Sequence, residues 1–451
     1  MGHINKTLSD YAAKDTVRLH MPGHKGAIDP LDMTETPQTD DINRPEGPYL
    51  LALDHIREVY GSKKSFILTS GATVGIQAMV LYAKKAGYKI AASRNSHMSV
   101  INAALAFDAD IDIVEPEYDA QSGTYMSPTN SFIHFIDNSD EKYAVIVTSC
   151  DYFGRCADIE AVKRAASRKG CLVFCDEAHG AHYVFSQLLP ESAGKYADIW
   201  VHGAHKTLNV MTQGALVHCS GNVDCGLFGR VLTAINTSSP SHLIAAQIED
   251  AADRGNFALW DERACRCEIL QSEIKKLKYI KCADRNWAAS AGYVDKDITR
   301  IVIDAKDAGG GYYIYKELYR RFNIQLEMAD FRYAAAIMTP SDKKEWDGLL
   351  ADALKELDIK KESDELLKIP PSGERVINIK RAWLIKAEKT LLDKAEGKIA
   401  ADVIGAYPPG VALILPGEKI TAEHIDYFKR IKIMGGHAFG TDGSEILTAD
   451  V

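Results

Sequence analysis

Two short stretches of the chain carry side chains that could share one piece of chemistry. The first is Asp-Glu-Ala-His-Gly-Ala-His, Asp176 to His182, directly after the apolar run Cys-Leu-Val-Phe-Cys. The second is His-Gly-Ala-His-Lys-Thr, His202 to Thr207, directly after Ala-Asp-Ile-Trp-Val. A carboxylate at a strand end can accept a charge-assisted hydrogen bond from a protonated ring nitrogen. A lysine pushed into a cavity is costly to keep charged, so its amine becomes nucleophilic and fit to form a Schiff base. Asp176 and Lys206 are one strand–loop–strand apart, so both can reach one heterocycle from neighbouring strand tips. Singly, each has an ordinary reading: Asp176 as a turn cap, Lys206 as a surface lysine. Their pairing is what points to a site.

Two more stretches extend it. In Phe-Ile-Leu-Thr-Ser-Gly-Ala-Thr (66–73) a strand ends near Thr69, Gly71 permits a tight turn, and a helix opens at Ala72–Thr73. Free N–H groups and the positive end of the helix dipole make an anion site there, to which the Thr73 hydroxyl can add. The lysine and spacing of a P-loop are missing. His97, in Ser-Arg-Asn-Ser-His-Met-Ser (93–99), follows another strand. Its imidazole could stack on a flat ring or stand near the group leaving Cα. Small Ala178 leaves room for that ring. An amine, a carboxylate, an anion site and an imidazole together fit pyridoxal phosphate (PLP), whose pyridinium acts as an electron sink.

The elements that must position these residues are legible as periodicity. Apolar runs predict strands at 65–69, 89–93, 111–115, 144–149, 171–176, 199–203 and 214–219, with helices at 72–86, 97–107 and 158–169 between them. Continuously apolar strands alternating with helices imply a mostly parallel α/β sheet of seven strands, covered on both faces. After about residue 240 come helical stretches (242–276), a strand (299–304), a helix (312–322) and a charged run (343–367) that reads as a solvated helical face. We read residues 1–60 as an N-terminal segment, 61–290 as the large domain and 291–451 as a smaller α+β domain.

Composition excludes several classes. The net charge is −9, with no basic stripe for nucleic acid. No apolar run reaches membrane-span length, and the N-terminus lacks a signal peptide's apolar core. Nine cysteines without a CxxC pair read as free thiols in a reducing cytoplasm, not as metal ligands.

These residues resemble the prokaryotic ornithine/lysine/arginine decarboxylases, PLP enzymes of fold type I, in the short form without a wing domain. The likeness runs nearly end to end: His-Met-Pro-Gly-His-Lys-Gly (20–26), Asp-Met-Thr-Glu-Thr to Arg-Pro-Glu-Gly-Pro (32–48), the stretches around His97, Asp176 and Lys206, Thr-Ser-Ser-Pro-Ser (237–241) and Tyr-Pro-Pro-Gly-Val-Ala-Leu-Ile-Leu-Pro-Gly-Glu (407–418). The resemblance implies that Lys206 carries the cofactor, Asp176 meets the pyridine nitrogen and His97 stacks on the ring. It puts Ala178 on the opposite face and His179 at the ring edge. Ala72, Thr73 and His205 hold the phosphate, and Thr237 and Ser238 reach the phosphate of a neighbouring subunit in a homodimer or larger assembly. The substrate it implies is a basic amino acid, arginine, lysine or ornithine, decarboxylated to a polyamine or diamine and CO2. Glu418 and Glu327 are candidates for meeting its distal cation.

Departures from the family pattern lie around the cofactor. Gly203 replaces a serine, Ala72 a hydroxyl residue, Met98 a lysine, Cys150-Asp151 a Pro-Thr pair and Asn209 a proline. Two phosphate hydroxyls are thereby lost. Other fold-type-I reactions (aminotransferase, racemase, aldolase) share Asp and Lys and stay open at this point, as does a degenerate PLP-binding paralogue.

Overall fold

Seven apolar runs between residues 64 and 219 form one sheet. Strands β1 (Lys64–Leu68), β2 (Lys89–Ser93), β3 (Ile111–Val114), β4 (Tyr143–Thr148), β5 (Leu172–Asp176), β6 (Ile199–His202) and β7 (Ala215–Cys219) lie in the order β1-β7-β6-β5-β4-β2-β3. From β6 through β3 all neighbours are parallel, whereas β7 runs antiparallel to both β6 and β1. β1 therefore points the same way as β6, and six strands end at one edge. Every run falls within one residue of its predicted limits. The computed structural model describes residues 1–451 except 15, 254–255, 363–367, 408–409 and 451.

The alternation of side chains sorts each strand between two cores. Ile90, Ala92, Ile146, Phe174, Val201 and Val217 face the helices Ala72–Lys85 and Met98–Ala106, packing with Met79, Val80 and Val100. Ala91, Val145, Val147, Val173 and Trp200 face the other side and pack with Phe132, Ile136 and Val162. Both faces are dry, which is why the strands read as unbroken apolar runs.

A second, antiparallel sheet joins 281–282, 300–304, 333–337 and 328–329. Its first strand lies ahead of residue 291, where the sequence reading opens the smaller unit. Helices His242–Ala251 and Phe257–Lys275 precede it. The charged run contains the helix Glu345–Leu357, which buries Leu350, Leu354 and Leu357; its end at 363–367 lies outside the described residues. The last part builds small sheets from 387–391 with 445–449 and from 404–407 with 411–414 and 437–439, over a core of Ile404, Ile414 and Phe428. Of the C-terminal signature, Pro408 and Pro409 lie outside the described residues.

One close approach sets the position of Asp330. Gly311 opens the helix Gly311–Phe322, and a Cβ there would stand 2.0 Å from the Tyr333 carbonyl oxygen and 2.6 Å from that of Asp330. Those are backbone atoms that no rotamer change can move. Gly311→Ala is expected to destabilise the chain by about 1–3 kcal/mol, the scale of an overpacked core, read as a lower urea midpoint with an unchanged slope.

Candidate active site

The tips of β1, β2, β5 and β6 border one cavity of about 630 Å³, within the range of small-molecule sites. In open α/β sheets ligands bind beyond the carboxyl ends of the strands. Ala72, Thr73, His97, Asp176, Ala178, His179, His205 and Lys206 all line it.

Lys206 sits on the short turn Ala204–Thr207 after β6. Its Nζ is 3.0 Å from Nε2 of His179. Burial pulls the amine below its usual pKa, and Arg300 adds to that, while Asp176 works against it. Asp176 is the last residue of β5, and one of its oxygens accepts the Ala178 amide at 3.2 Å. His179 is held low in pKa, first by burial and then by Lys206 and Arg300. Its other ring nitrogen, Nδ1, stands 3.2 Å from a guanidinium nitrogen of Arg300.

His97 is the N-cap of the helix Met98–Ala106. The Ser99 amide donates to its Nδ1 at 3.2 Å, and the Ser99 hydroxyl lies 2.8 Å from the same atom. The cap fixes Nδ1 as an acceptor and leaves Nε2 for the neutral ring's proton. Burial lowers its pKa although Asp176 is near. Gly410, at φ +80°, lies against the ring: a Cβ there would be 3.1 Å from Cδ2. Nδ1 of His205 lies 2.9 Å from the Gly214 carbonyl, and burial lowers this ring's pKa too. Ahead of Ala72, Gly71 caps its helix with no side chain, so the first-turn N–H groups stay available to an anion.

The remaining predicted residues lie elsewhere. Thr237 and Ser238 do not line this cavity. They sit in the link before helix His242–Ala251, Thr237 half-buried and Ser238 exposed, and the Thr237 carbonyl accepts from Asn43. Glu327 is exposed at the rim, bonded by the Tyr152 hydroxyl at 3.1 Å. Glu418 does not face the cavity. It is 1% exposed, and its carboxylate accepts two nitrogens of Arg94 at 2.6 and 3.0 Å, the Leu415 amide, and Arg375. The expectation that Glu418 meets a substrate cation is therefore corrected: Arg94 takes up its charge.

Three features of the site escaped sequence reasoning. Arg300 opens a strand from the second sheet, and its only signal is an arginine in an apolar run. Asp330 lines the cavity beside Tyr118, Tyr312, Phe331 and Tyr427. The amides of Arg332 and Tyr333 both bond its Oδ1, and burial raises its pKa to about 6. Asp151 also lines the cavity but is clamped by Arg155, which stacks on Tyr293 and bonds Thr124. That ion pair gives Asp151, one of the residues that depart from the family pattern, a partner of its own. Behind the site, Glu177 turns away from the cavity. It accepts the Ser192 hydroxyl and the Ala193 amide and pairs with His202, which contacts His218, which contacts Ser65.

The comparisons decide the family. The Orn/Lys/Arg decarboxylase major domain matches residues 27–299, and the C-terminal domain of the same family matches 379–441. The chain belongs to the Orn/Lys/Arg decarboxylase family. An arginine decarboxylase of Bacillus subtilis is 28% identical, with 94% of this chain and 92% of that protein aligned. An arginine decarboxylase of Bacillus anthracis is 26% identical over 94% and 91%. A lysine decarboxylase structure from Francisella novicida superposes with a TM-score of 0.84 at 18% identity, covering 100% of this chain and 81% of that one, which shows the shared fold. That fold is PLP fold type I, and PLP is the family's cofactor.

The residues present fit that cofactor. A buried amine of lowered pKa, a carboxylate at the next strand tip and an uncapped helix start border the same space. The two departures that remove a hydroxyl differ in kind. At Gly203 a Cβ would meet the Ala178 carbonyl at 2.9 Å and Lys206 Cδ at 3.0 Å, so a side chain there would have to displace that carbonyl or the lysine stem. Ala72 stands at an open helix start. Ala72→Ser is expected to tighten PLP retention, since a hydrogen bond to a charged group contributes about 1.5–3 kcal/mol, or ~10-fold and more. Gly203→Ser is expected to loosen it. Fluorescence titration of the cofactor-free chain with PLP reads both.

Proposed function

We propose that the site acts on arginine, with its guanidinium held at the Asp330 end of the cavity. The chain is a PLP-dependent decarboxylase of basic amino acids, so the bond broken joins Cα to the carboxylate. Arginine is favoured among basic substrates by the Bacillus arginine decarboxylases, which align over more than nine-tenths of the chain. A planar guanidinium also suits an aromatic wall with one carboxylate. The observation that carries the reading is the common cavity of Lys206, Asp176 and Asp330.

Bound PLP supplies a sink for the electron pair left on Cα when CO2 departs. Lys206 offers an amine that burial keeps ready to attack a carbonyl. Asp176 would hold a proton on the ring nitrogen by a charge-assisted bond. His97 and Ala178 would flank the ring, with His179 near its edge, since all three line the same cavity. Thr73, His205 and the first-turn amides after Gly71 would receive the phosphate. The proton that replaces CO2 on Cα would come from His97 Nε2, or from Lys206 Nζ after that amine has taken the proton released by the substrate's ammonium. Asp330 orients the substrate: both backbone amides bond Oδ1, and no described residue hydrogen-bonds Oδ2.

The assembly we propose is a homodimer in the cytoplasm, feeding polyamine synthesis. Half-buried Thr237 and exposed Ser238 would reach the neighbouring subunit's phosphate. Exposed Leu19, Met21, Ile28, Leu50 and Leu51 near the N-terminus support an interface. Among the described residues no helix is long and apolar enough to cross a membrane.

Lys206→Ala is expected to abolish both CO2 release and the near-visible absorbance of bound cofactor; survival of both would end the assignment. Asp330→Asn is expected to raise KM for arginine at least ~10-fold, the worth of a charged hydrogen bond, with a smaller change in kcat. Because the Asp330 pKa is raised to about 6, the carboxylate forms as pH rises through 6. Wild-type kcat/KM should climb through that pH, and Asp330→Asn should flatten the climb. An unchanged KM and pH profile would remove Asp330 from the site.

A further inference from the structure

Three side chains stand in line: Lys206 and His179, which line the cavity, and Arg300 buried behind them. A guanidinium nitrogen of Arg300 is 3.2 Å from Nδ1 of His179, and Nε2 of the same ring is 3.0 Å from Nζ of Lys206. An arginine side chain donates and never accepts. Nδ1 must therefore be the acceptor, which excludes both the Nδ1–H tautomer and the imidazolium. The ring's one proton is left on Nε2, facing Nζ. An ammonium has three donors and no acceptor, so it would set N–H against N–H across 3.0 Å. Only a neutral amine can accept from Nε2–H.

We propose that Arg300 is a positioning residue: it selects the Nε2–H tautomer of His179 and thereby holds the Lys206 amine unprotonated, as an acceptor. It touches neither substrate nor cofactor for this purpose and acts through the imidazole.

A second observation supports a role beyond packing. Arg300 is 1% exposed, yet its Nε and Nη1 have no hydrogen-bond partner among the described residues. Buried donors left unpaired are uncommon and ask for an explanation. The residue is also fixed in place. Its carbonyl accepts from Lys296 at 2.7 Å, and Gly154, at φ +82°, makes room where a Cβ would meet Arg300 Cβ at 2.9 Å. The other groups facing the amine are accounted for. Asp176, Cys150 and Glu327 favour its charged form, and His97 and His205 interact with it in turn. Tyr152 packs edge-on against His179 at 4.8 Å. Among these, Arg300 alone is a permanent donor aimed at the ring nitrogen opposite Lys206.

The proposal rests on Lys206 as the reactive amine, and its test reads the protonation of that amine rather than turnover. Failure to decarboxylate arginine would therefore leave the test intact. The full-length chain, freed of cofactor, is trace-labelled with acetic anhydride across a pH series. Acetylation at Lys206 is followed by peptide mass spectrometry, and its pH midpoint reports the amine. Arg300→Met is expected to raise the midpoint by about one unit or more, the scale of a lost neighbouring interaction, because the ring can then turn an acceptor toward an ammonium. In a His179→Ala background the same replacement is expected to leave the midpoint within a few tenths of a unit, since the relay is already cut. Should Arg300→Met not fold, Arg300→Gln serves: its amide can accept as well as donate, which releases the tautomer, and the midpoint should again rise. An unmoved midpoint in the His179-containing chain would overturn the proposal. So would an equal rise with and without His179, which would reduce Arg300 to a bare charge.

Discussion

The site depends on a desolvated amine. A lysine head group loses several kcal/mol of hydration when it is taken out of water, and the neutral form avoids most of that loss. Lys206 is withdrawn beneath the tips of β5 and β6, where burial dominates its protonation and Asp176 opposes it. Around this point the fold places parts that do not compromise it. The nearest polar contact is an imidazole that burial keeps neutral, and the uncapped helix start proposed for the phosphate lies at a different strand tip.

Support behind the site is polar and buried. The chain from Glu177 through His202 and His218 to Ser65 crosses β6, β7 and β1 below the cavity. Each member has a partner, so the network fixes strand register without leaving a lone charge in the core. The arrangement explains why Asp176 and Glu177 are adjacent yet have separate tasks. Alternation along the backbone sends one carboxylate to the cavity and the other to the scaffold.

Much of this was written locally in the chain. Strands buried on both faces must be continuously apolar, so their limits were readable to within a residue, and the residues following them inherited their places at the sheet edge. Asp176, His97 and Lys206 could be found because each follows such a run. Glu418, Arg300 and Asp330 could not be read this way. The fate of Glu418 depends on Arg94, more than three hundred positions away in sequence. Arg300 and Asp330 come from the second sheet, and nothing in their neighbourhoods says which part of the first sheet they will meet. The Gly203 departure looked like a lost hydroxyl until the Ala178 carbonyl was seen beside it.

The C-terminal segment is fastened to the tip of β2 at two points. Arg94 is gripped by Glu418, and the Met98 amide donates to the Gly410 carbonyl one residue past His97. The imidazole thus rides between two anchors that join the same two stretches, 94–98 and 410–418. Rocking of the last part of the chain against the large sheet would therefore act on His97 directly, whereas Lys206 and Asp176 bond within the large domain. Motion of that segment would tilt one wall of the site and leave its floor at rest.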